Sequence, residues 1–203
     1  MPRKPIQKRS KATVEAIIEA GFVCVARHGP SDTTTRQIAD VAGISVGSLY
    51  EYFRDKEDIF VAMNRKFSDD VVVLIRELTP EVVKLEIREA IRLLVARFGQ
   101  FLTRNDGRYL SIARQLIRAE PLDSIEPVSK ALMDLLVQYL SNHPEYMKIR
   151  NIPTMAYILV NAGIFVVLRQ LTSENPPVTY EQVGEGLAYL VSYYVDREIA
   201  QGS

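Results

Sequence analysis

The stretch TTTRQIADVAGISVGSLYEYFRDKEDIF, residues 33–60, is the most informative part of this 203-residue chain. It predicts two short helices separated by a glycine turn and followed by the start of a longer helix. Thr34 and Ser45 stand where helix N-caps are expected, because their hydroxyls can accept hydrogen bonds from backbone amides one turn ahead. Gly43 ends the first helix, since glycine adopts the left-handed backbone conformation at little cost. This pattern predicts a helix-turn-helix over about residues 34–53.

The two short helices have an apolar face and a face of small, hydroxyl-bearing residues. The apolar positions, which we expect to pack together, are Ile38, Ala39, Ala42, Leu49 and Phe53. Ser45, Ser48 and Tyr52 recur at i, i+3 and i+7, so they share a different face of the second helix. Small side chains let a helix backbone come close to base edges and phosphates, and hydroxyls hydrogen-bond to both. The pattern therefore indicates a helix surface that touches DNA.

The charge distribution favours an anionic partner near the N-terminus. The whole chain carries 25 Lys and Arg against 25 Asp and Glu. Residues 1–67, however, hold 11 Lys and Arg against eight Asp and Glu, and five of those positive charges lie in the first eleven residues, without an acid. We therefore expect residues 1–9 to form a basic, flexible arm that contacts phosphates or the minor groove of DNA.

The rest of the chain also repeats its apolar residues with helical period, so we expect an all-α protein of about nine helices without strands. A first helix from about residue 10 to 28 should stop at Gly29-Pro30. Six further helices are expected, at about 56–78, 80–103, 108–119, from the Pro121–Pro127 entry to 141, 153–171 and 179–200. We expect Asp55 to cap the first of them and Asn105–Gly107 to form a turn between the second and the third.

Composition narrows the class of protein. No apolar run approaches the roughly 20 residues of a membrane helix, and the basic N-terminus leads into an amphipathic helix instead of a signal segment. The single cysteine, Cys24, excludes a disulfide within the chain and lies in an apolar helical pattern, typical of a buried thiol. We therefore expect a cytoplasmic protein without a membrane partner.

Nothing in the sequence favours catalysis. His28 and His143 are the only histidines, and neither has a recognisable nucleophile or metal-ligand companion nearby in sequence. No phosphate-binding loop, dinucleotide-binding turn or HExxH metal motif is present. We expect no enzyme activity, no cofactor and no metal site.

The quoted stretch resembles the DNA-binding head of the TetR family (TetR/AcrR type) of bacterial transcriptional regulators. The resemblance lies in the threonine-rich helix start, the core pattern IA..AG.S.G.LY.YF and the KE that opens the next helix. It covers roughly residues 10–71. The resemblance implies that residues 72–203 form a helical domain for effector binding and dimerisation, although that part carries no comparable motif.

The resemblance also assigns roles to residues of the head. It implies that Thr35 and Arg36 approach the major groove, that Ser45–Ser48 form the reading face, and that two tyrosines and a lysine contact phosphates. The full candidate set is Thr34, Thr35, Arg36, Ser45, Val46, Gly47, Ser48, Tyr50, Tyr52 and Lys56. Each also has a purely structural interpretation: Thr34 and Ser45 as caps, Tyr50 as a packing aromatic, Lys56 as a surface charge.

The last two helices are candidates for a subunit interface. MAYILVNAGIFVVL is apolar nearly all round, and a helix without a polar face must be buried on every side. Two such helix pairs would form a four-helix bundle with two-fold symmetry; the alternative is an intrachain core. The interface candidates are Ala156, Leu159, Ala162, Gly163, Val166, Val167, Gly184, Leu187, Ala188, Val191 and Tyr194.

The middle helices supply candidates for an effector pocket, with core packing as the alternative for each residue. They are Met63, Phe67, Phe98, Phe101, Tyr109, Ile112, Met133, Leu136, Tyr139 and Phe165, with Arg114, Gln115 and Asn161 as polar groups that could orient a ligand. Their composition favours an apolar or amphipathic small molecule.

These observations predict a homodimeric repressor that binds a palindromic operator and is released by a small-molecule effector. The long helix from Lys56 is the expected link between effector and head. Two alternatives remain open from the sequence. One is a DNA-binding regulator controlled by protein contacts instead of a small molecule, and the other is a helical carrier or enzyme with a vestigial head.

Overall fold

The computed structural model describes residues 4–119, 125–173 and 175–201, and the side chains within them except those of 4–9, 105, 106, 108, 111–119 and 201. Over these residues the chain forms eight α-helices and one 3₁₀ helix (Pro144–Lys148), without a strand. The helices are α1 (Lys4–Asp32), α2 (Thr35–Ala42), α3 (Val46–Tyr50), α4 (Lys56–Val82), α5 (Ile87–Ala119), α6 (Glu126–Asn142), α7 (Ile152–Thr172) and α8 (Tyr180–Gln201). The predicted all-α fold class is confirmed.

The chain divides into two compact units. We call them the N-terminal unit, which is Met1–Phe67 with Thr103–Ile112, and the C-terminal unit, which is Ser68–Leu102 with Ala113–Ser203. The boundary expected after residue 71 lies close to the first change of unit. The sequence pattern does not predict that Thr103–Ile112 belongs to the N-terminal unit.

Aromatic contacts explain why the segment after residue 102 belongs to the N-terminal unit. The ring of Tyr109 meets Phe22 edge-on, with centroids 5.1 Å apart, and Phe67 in the same manner at 5.4 Å. Edge-to-face pairs add stabilisation beyond the area they bury. The fully buried side chains of this unit include Ile17, Phe22, Val25, Ile38, Leu49, Ile59 and Met63.

Helix α1 is longer than the sequence predicts, and it is broken where the sequence predicts a stop. Gly29 has φ 75° and ψ 166°, which is not helical, so the segment starting at Pro30 is a separate turn at the end of α1. At the other end α1 begins at Lys4. Residues 4–9 are therefore helical, and the expectation of a flexible arm is wrong for them.

Three of the predicted helix ends in the quoted stretch, at Thr34, Gly43 and Asp55, are confirmed. The Thr34 hydroxyl accepts from the Gln37 amide, and the Gln37 side chain accepts from the Thr34 amide, so α2 starts with a complete capping box. Gly43 has φ 70°, the left-handed conformation expected of a helix-ending glycine. Asp55 caps α4, because its carboxylate accepts from the Asp58 amide at 2.8 Å.

Other boundaries differ from the prediction. Helix α3 ends at Tyr50 after barely more than one turn, whereas α4 continues through Pro80 to Val82, which is completely buried. Helix α5 then starts at Ile87 and includes the predicted turn. Gly107 in that turn has φ 69°, so its own backbone is not helical, although the residues on both sides of it belong to α5. The described part of the chain therefore has eight α-helices, against the predicted number of about nine.

In the C-terminal unit, α6, α7, α8 and the 3₁₀ helix pack against one another. Two tyrosine hydroxyls join its elements: that of the half-buried Tyr180 donates to the Val95 carbonyl at 2.6 Å, and that of the buried Tyr139 donates to the Leu85 carbonyl at 2.9 Å. Burial raises the pKa of both phenols, because the phenolate would lose its hydration. Both tyrosines therefore act as neutral donors that satisfy backbone carbonyls.

Helix α7 corrects one expectation about membranes. Its 21 residues have a mean hydropathy of 1.7, so by length and composition it could cross a membrane. One such helix is weak evidence for a membrane protein. Within the unit, α7 buries Val167, Leu168 and Thr172 and leaves most of its apolar surface exposed.

Candidate nucleic-acid interface

All ten candidate residues lie in one segment of the N-terminal unit, from the N-cap of α2 to the first residue of α4. Six of them are exposed and four are half-buried, and Tyr50 exposes 51% of its surface. The exposed ones are Thr34, Arg36, Ser45, Gly47, Tyr50 and Tyr52, and the half-buried ones are Thr35, Val46, Ser48 and Lys56. Leu49 between them is completely buried, so α3 presents its small residues while its leucine anchors it.

A hydrogen bond joins the two short helices across this surface. The Thr35 hydroxyl lies 3.2 Å from the Tyr50 hydroxyl, and either oxygen can be the donor. Thr35 is the first residue of α2 and Tyr50 the last of α3. The hydroxyl of Tyr50 is therefore held by a polar contact. A purely packing role for the Tyr50 ring would not require this contact.

The serines of α3 bond to each other and to the helix start. Ser45 accepts from the Ser48 amide at 3.0 Å and donates its own proton to the Ser48 hydroxyl at 2.9 Å. Ser45 is thus the N-cap, as predicted, and its proton is already committed. The Ser48 proton remains available to an acceptor outside the protein.

Arg36 is the strongest candidate for base recognition. It is exposed on α2 and makes no ion pair or hydrogen bond with any residue that the structure describes. A guanidinium in that state keeps all five N–H donors for a ligand such as the guanine edge or a phosphate.

Lys56 has a structural role that the sequence did not indicate. Its ammonium donates to the carbonyls of Ser31 and Thr33, both at 3.3 Å, and lies 6.0 Å from the centre of the Phe60 ring. These carbonyls follow the break in α1, where helical hydrogen bonds end. The positive charge at the start of α4 is therefore explained first by backbone carbonyls, with one N–H left for a phosphate.

Arg54, two residues before Lys56, is paired with a carboxylate of the protein itself. Arg54 donates from Nε and Nη2 to the two carboxylate oxygens of Asp58, each at 2.7 Å. This pairing lowers the pKa of the Asp58 carboxyl and raises that of the Arg54 guanidinium. Arg54 is exposed, but its guanidinium group is bonded to Asp58. It is a weaker DNA-binding candidate than Arg36 for this reason.

The candidates for an effector pocket do not form one group. Three of them, Met63, Phe67 and Tyr109, belong to the N-terminal unit and pack in its interior. Phe165 is 62% exposed on α7 and does not line an interior cavity of its unit. The side chains of Ile112, Arg114 and Gln115 lie outside the described residues.

The remaining pocket candidates belong to the C-terminal unit. Phe101 and Tyr139 are buried, and the Phe98 and Phe101 rings stack with centroids 6.4 Å apart. Met133, Leu136 and Asn161 are half-buried. The Tyr139 hydroxyl and the Asn161 amide already donate to backbone carbonyls, of Leu85 and Tyr157, so neither has all its donors available for a ligand.

The interface candidates divide by burial. Val167, Gly184 and Ala188 are buried inside the C-terminal unit. Ala162 and Val166 are exposed. The others are half-buried: Ala156, Leu159, Gly163, Leu187, Val191 and Tyr194.

Of the large exposed apolar residues on α7 and α8, only Val166 was among the interface candidates from the sequence. We call them the α7–α8 apolar face: Tyr157, Ile158, Phe165, Val166, Tyr189, Leu190 and Tyr193. Tyr157 is 67% and Tyr189 is 57% exposed. Because α7 is apolar nearly all round, its sequence does not indicate which side is buried within the chain. Among the described residues, no group of His, Cys, Asp and Glu is placed to hold a metal ion.

The candidate surface lies in the part of the chain that matches a known family. Residues 17–63 match the family model of bacterial regulatory proteins, tetR family. That range includes α2, α3 and the start of α4.

Two characterised relatives are similar over different lengths. The HTH-type transcriptional repressor AcnR of Corynebacterium efficiens is 33% identical over 63 residues, which is 31% of this chain and 31% of AcnR. The fatty acid metabolism regulator protein of Bacillus subtilis is 27% identical over 131 residues, 64% of each chain. The matched part thus spans about a third of the first relative and less than two thirds of the second.

A solved structure extends the similarity to most of the chain. Thermus thermophilus FadR, described as a TetR-family transcriptional repressor in complex with lauroyl-CoA, superposes with a TM-score of 0.61. The superposition covers 89% of this chain and 94% of FadR at 20% sequence identity. At that identity the likeness shows a common fold.

The bonds of Lys56 lead to a prediction about stability. Replacing it by methionine (Lys56→Met) removes two charge-assisted hydrogen bonds to backbone carbonyls, so we expect the free energy of unfolding to fall by about 1–2 kcal/mol. Urea denaturation followed by circular dichroism measures the change. Arg65→Met, at an exposed position of α4, should change stability by less than about 0.5 kcal/mol. Equal effects of the two substitutions would show that the carbonyl contacts contribute nothing.

Proposed function

Since the N-terminal domain of this chain belongs to the TetR family of bacterial regulatory proteins, we propose that the protein is a DNA-binding transcriptional repressor. The observation that carries the proposal is the surface of α2 and α3, where an unpaired Arg36 and exposed hydroxyls surround a helix too small to obstruct close approach. Hydroxyls and arginine are the groups that contact phosphates and base edges in a major groove. The repressor AcnR is similar over this part of the chain.

The repressor acts as a homodimer on a palindromic operator. A single helix-turn-helix contacts one half-site, and two-fold symmetric dimers place two such helices about one turn of DNA apart. The α7–α8 apolar face supports dimerisation, because large aromatic side chains at 54–67% exposure are costly to leave in water. A second copy of this face would cover them with side chains of the same kind.

A second subunit is a better match for this face than a lipid bilayer. A surface that faces lipid would not be bordered by charged side chains, which are costly to place in a bilayer. Here charged side chains border the apolar residues of α8: Arg88 of α5 lies 5.3 Å from the centre of the Tyr189 ring, and Arg197 lies beside the Tyr193 hydroxyl. The protein then works in the cytoplasm without a membrane partner.

The effector is an amphipathic small molecule, with a long-chain acyl-CoA as the first candidate. The fatty acid metabolism regulator of Bacillus subtilis aligns over 131 residues, too many to lie within the head alone. The FadR structure of similar fold contains lauroyl-CoA. In this chain Phe98, Phe101, Met133 and Leu136 supply apolar side chains in the C-terminal unit that suit an acyl chain. The ligand releases DNA because it binds better to the conformation that cannot span both half-sites.

DNA binding is tested by selecting sites from random duplex DNA and measuring affinity for the consensus. We expect a palindromic consensus, with Arg36→Ala weakening binding about ten-fold because a guanidinium contact is lost. Arg97→Ala, which removes the same charge from an exposed position of the C-terminal unit, should leave the affinity unchanged. A failure to enrich any sequence at low salt would exclude a sequence-specific regulator and favour a helical carrier.

Dimerisation is tested at the α7–α8 apolar face. Phe165→Glu places a charge in the proposed interface, where its desolvation is costly, so we expect the protein to become monomeric. Analytical ultracentrifugation measures the mass against the 23.0 kDa of one chain. Val137→Glu is the matched control, because Val137 is equally exposed on α6, at 64%. A Phe165→Glu protein that remains dimeric would place the interface elsewhere.

The effector is tested by titrating the protein–operator complex with lauroyl-CoA. We expect release of the operator by lauroyl-CoA and none by free coenzyme A, because the acyl chain supplies the apolar contact area. Fluorescence anisotropy of labelled operator measures both. If neither compound releases DNA while the operator is bound normally, the acyl-CoA class is wrong and regulation by protein contacts becomes the better explanation.

A further inference from the structure

The contact between Thr35 and Tyr50 connects two residues that the resemblance places separately on the DNA. Their hydroxyl oxygens are 3.2 Å apart, although the residues are 15 positions apart in the chain. The Ser45–Ser48 contact lies within one turn of α3 and is part of its N-cap. Only the Thr35–Tyr50 bond among the described hydroxyl contacts of this surface links α2 to α3.

The direction of this hydrogen bond follows from what each hydroxyl must do when DNA is present. A phosphodiester oxygen only accepts hydrogen bonds, so a tyrosine that contacts it must donate its single phenolic proton. The phenolic oxygen can then only accept from its other neighbour. Thr35 is in position to donate to it.

The opposite direction is unfavourable on DNA. If Tyr50 donated to Thr35, its proton would be used within the protein and its oxygen would face the phosphate with lone pairs alone. Two acceptors at that distance repel each other. Binding of a phosphate therefore selects the arrangement in which the proton of Thr35 points to Tyr50 and the proton of Tyr50 points to the DNA.

From this geometry we propose that Thr35 is a positioning residue, which acts on DNA through Tyr50. The Thr35 hydroxyl donates to the Tyr50 oxygen, and Tyr50 donates to a backbone phosphate. The inference rests on the proposed function, since it assumes that the α2–α3 surface binds DNA. A chain of two hydrogen bonds strengthens both, because the Tyr50 hydroxyl donates more strongly to the phosphate while it accepts from Thr35. It also restricts the rotation of a half-exposed tyrosine before DNA arrives, which lowers the entropy cost of binding.

The experiment is a double-mutant cycle on the selected operator. Thr35→Val keeps the shape of threonine and removes its proton, and Tyr50→Phe removes the phenolic oxygen. We expect each to weaken operator binding about five-fold, the value of one hydrogen bond. The double variant should bind no more weakly than Tyr50→Phe alone, because Thr35 has no target once the phenolic oxygen is gone.

Conservative and positional controls separate positioning from general stability. Thr35→Ser retains the hydroxyl and should bind operator as the unsubstituted protein does. All variants should unfold within a few degrees of it, since both residues lie at the surface. Operators that carry a single methylphosphonate at successive positions identify the contacted phosphate. The penalties of Thr35→Val and Tyr50→Phe should both shrink at the same linkage, which a merely structural role of Thr35 would not produce.

Several outcomes would overturn the inference. If Thr35→Val weakened binding equally in the Tyr50→Phe background, Thr35 would contact DNA by itself. If Thr35→Val had no effect, or if the two penalties shrank at different linkages, the bond would not transmit anything to the phosphate. Absence of operator binding by the unsubstituted protein would be a different result, since it would remove the proposed function and the inference with it.

Discussion

A helix of five residues is too short to be stable by itself, so the position of α3 depends on one buried side chain, Leu49. Leu49 is completely buried, and its carbonyl accepts from the amides of Tyr52 and Phe53, which turn the chain toward α4. Everything exposed on α3 takes its place from this anchor. Ser48 and Tyr50 flank Leu49 in the chain and can be presented outward because the residue between them points inward.

The hydrogen bonds at the candidate surface explain how small polar groups can be held in defined directions. Thr34 and Ser45 satisfy the backbone at helix starts, and Thr35 is bonded to Tyr50 across the two helices. Lys56 is bonded to carbonyls of Ser31 and Thr33, at the C-terminal end of α1. Most of the polar groups are thus fixed before any partner arrives, while Arg36 keeps its donors. Such a surface combines geometric precision with one strong, adaptable contact, which suits recognition of both DNA backbone and base edges.

The C-terminal unit has a different chemical character. On α7 the buried residues Val167, Leu168 and Thr172 lie in its last two turns, and the Thr172 hydroxyl bonds within its own helix. Tyr157, Ile158 and Phe165, earlier on α7, are exposed, as are Tyr189, Leu190 and Tyr193 on α8. The same apolar character that gives α7 the length and hydropathy of a membrane helix also makes it suitable for a tight subunit contact. A membrane helix would be surrounded by lipid, whereas part of α7 is already covered by other residues of the same chain.

The sequence by itself determined the features that arise from interactions between near neighbours. The caps at Thr34, Ser45 and Asp55 and the break at Gly29 were predictable, because each involves residues within about four positions of one another. Apolar period and the IA..AG.S.G.LY.YF pattern were sufficient for the fold class and for the location of the candidate surface.

Tertiary structure alone decided the features that depend on residues far apart in the chain. Tyr109 joins the N-terminal unit through rings more than 40 positions away, and Lys56 binds carbonyls 23 and 25 residues before it. The exposed part of α7 could not be predicted either, because the sequence of a helix that is apolar all round does not indicate which residues the rest of the chain covers. Local pattern specifies which elements form, whereas packing between distant segments specifies which of their surfaces remain for a partner.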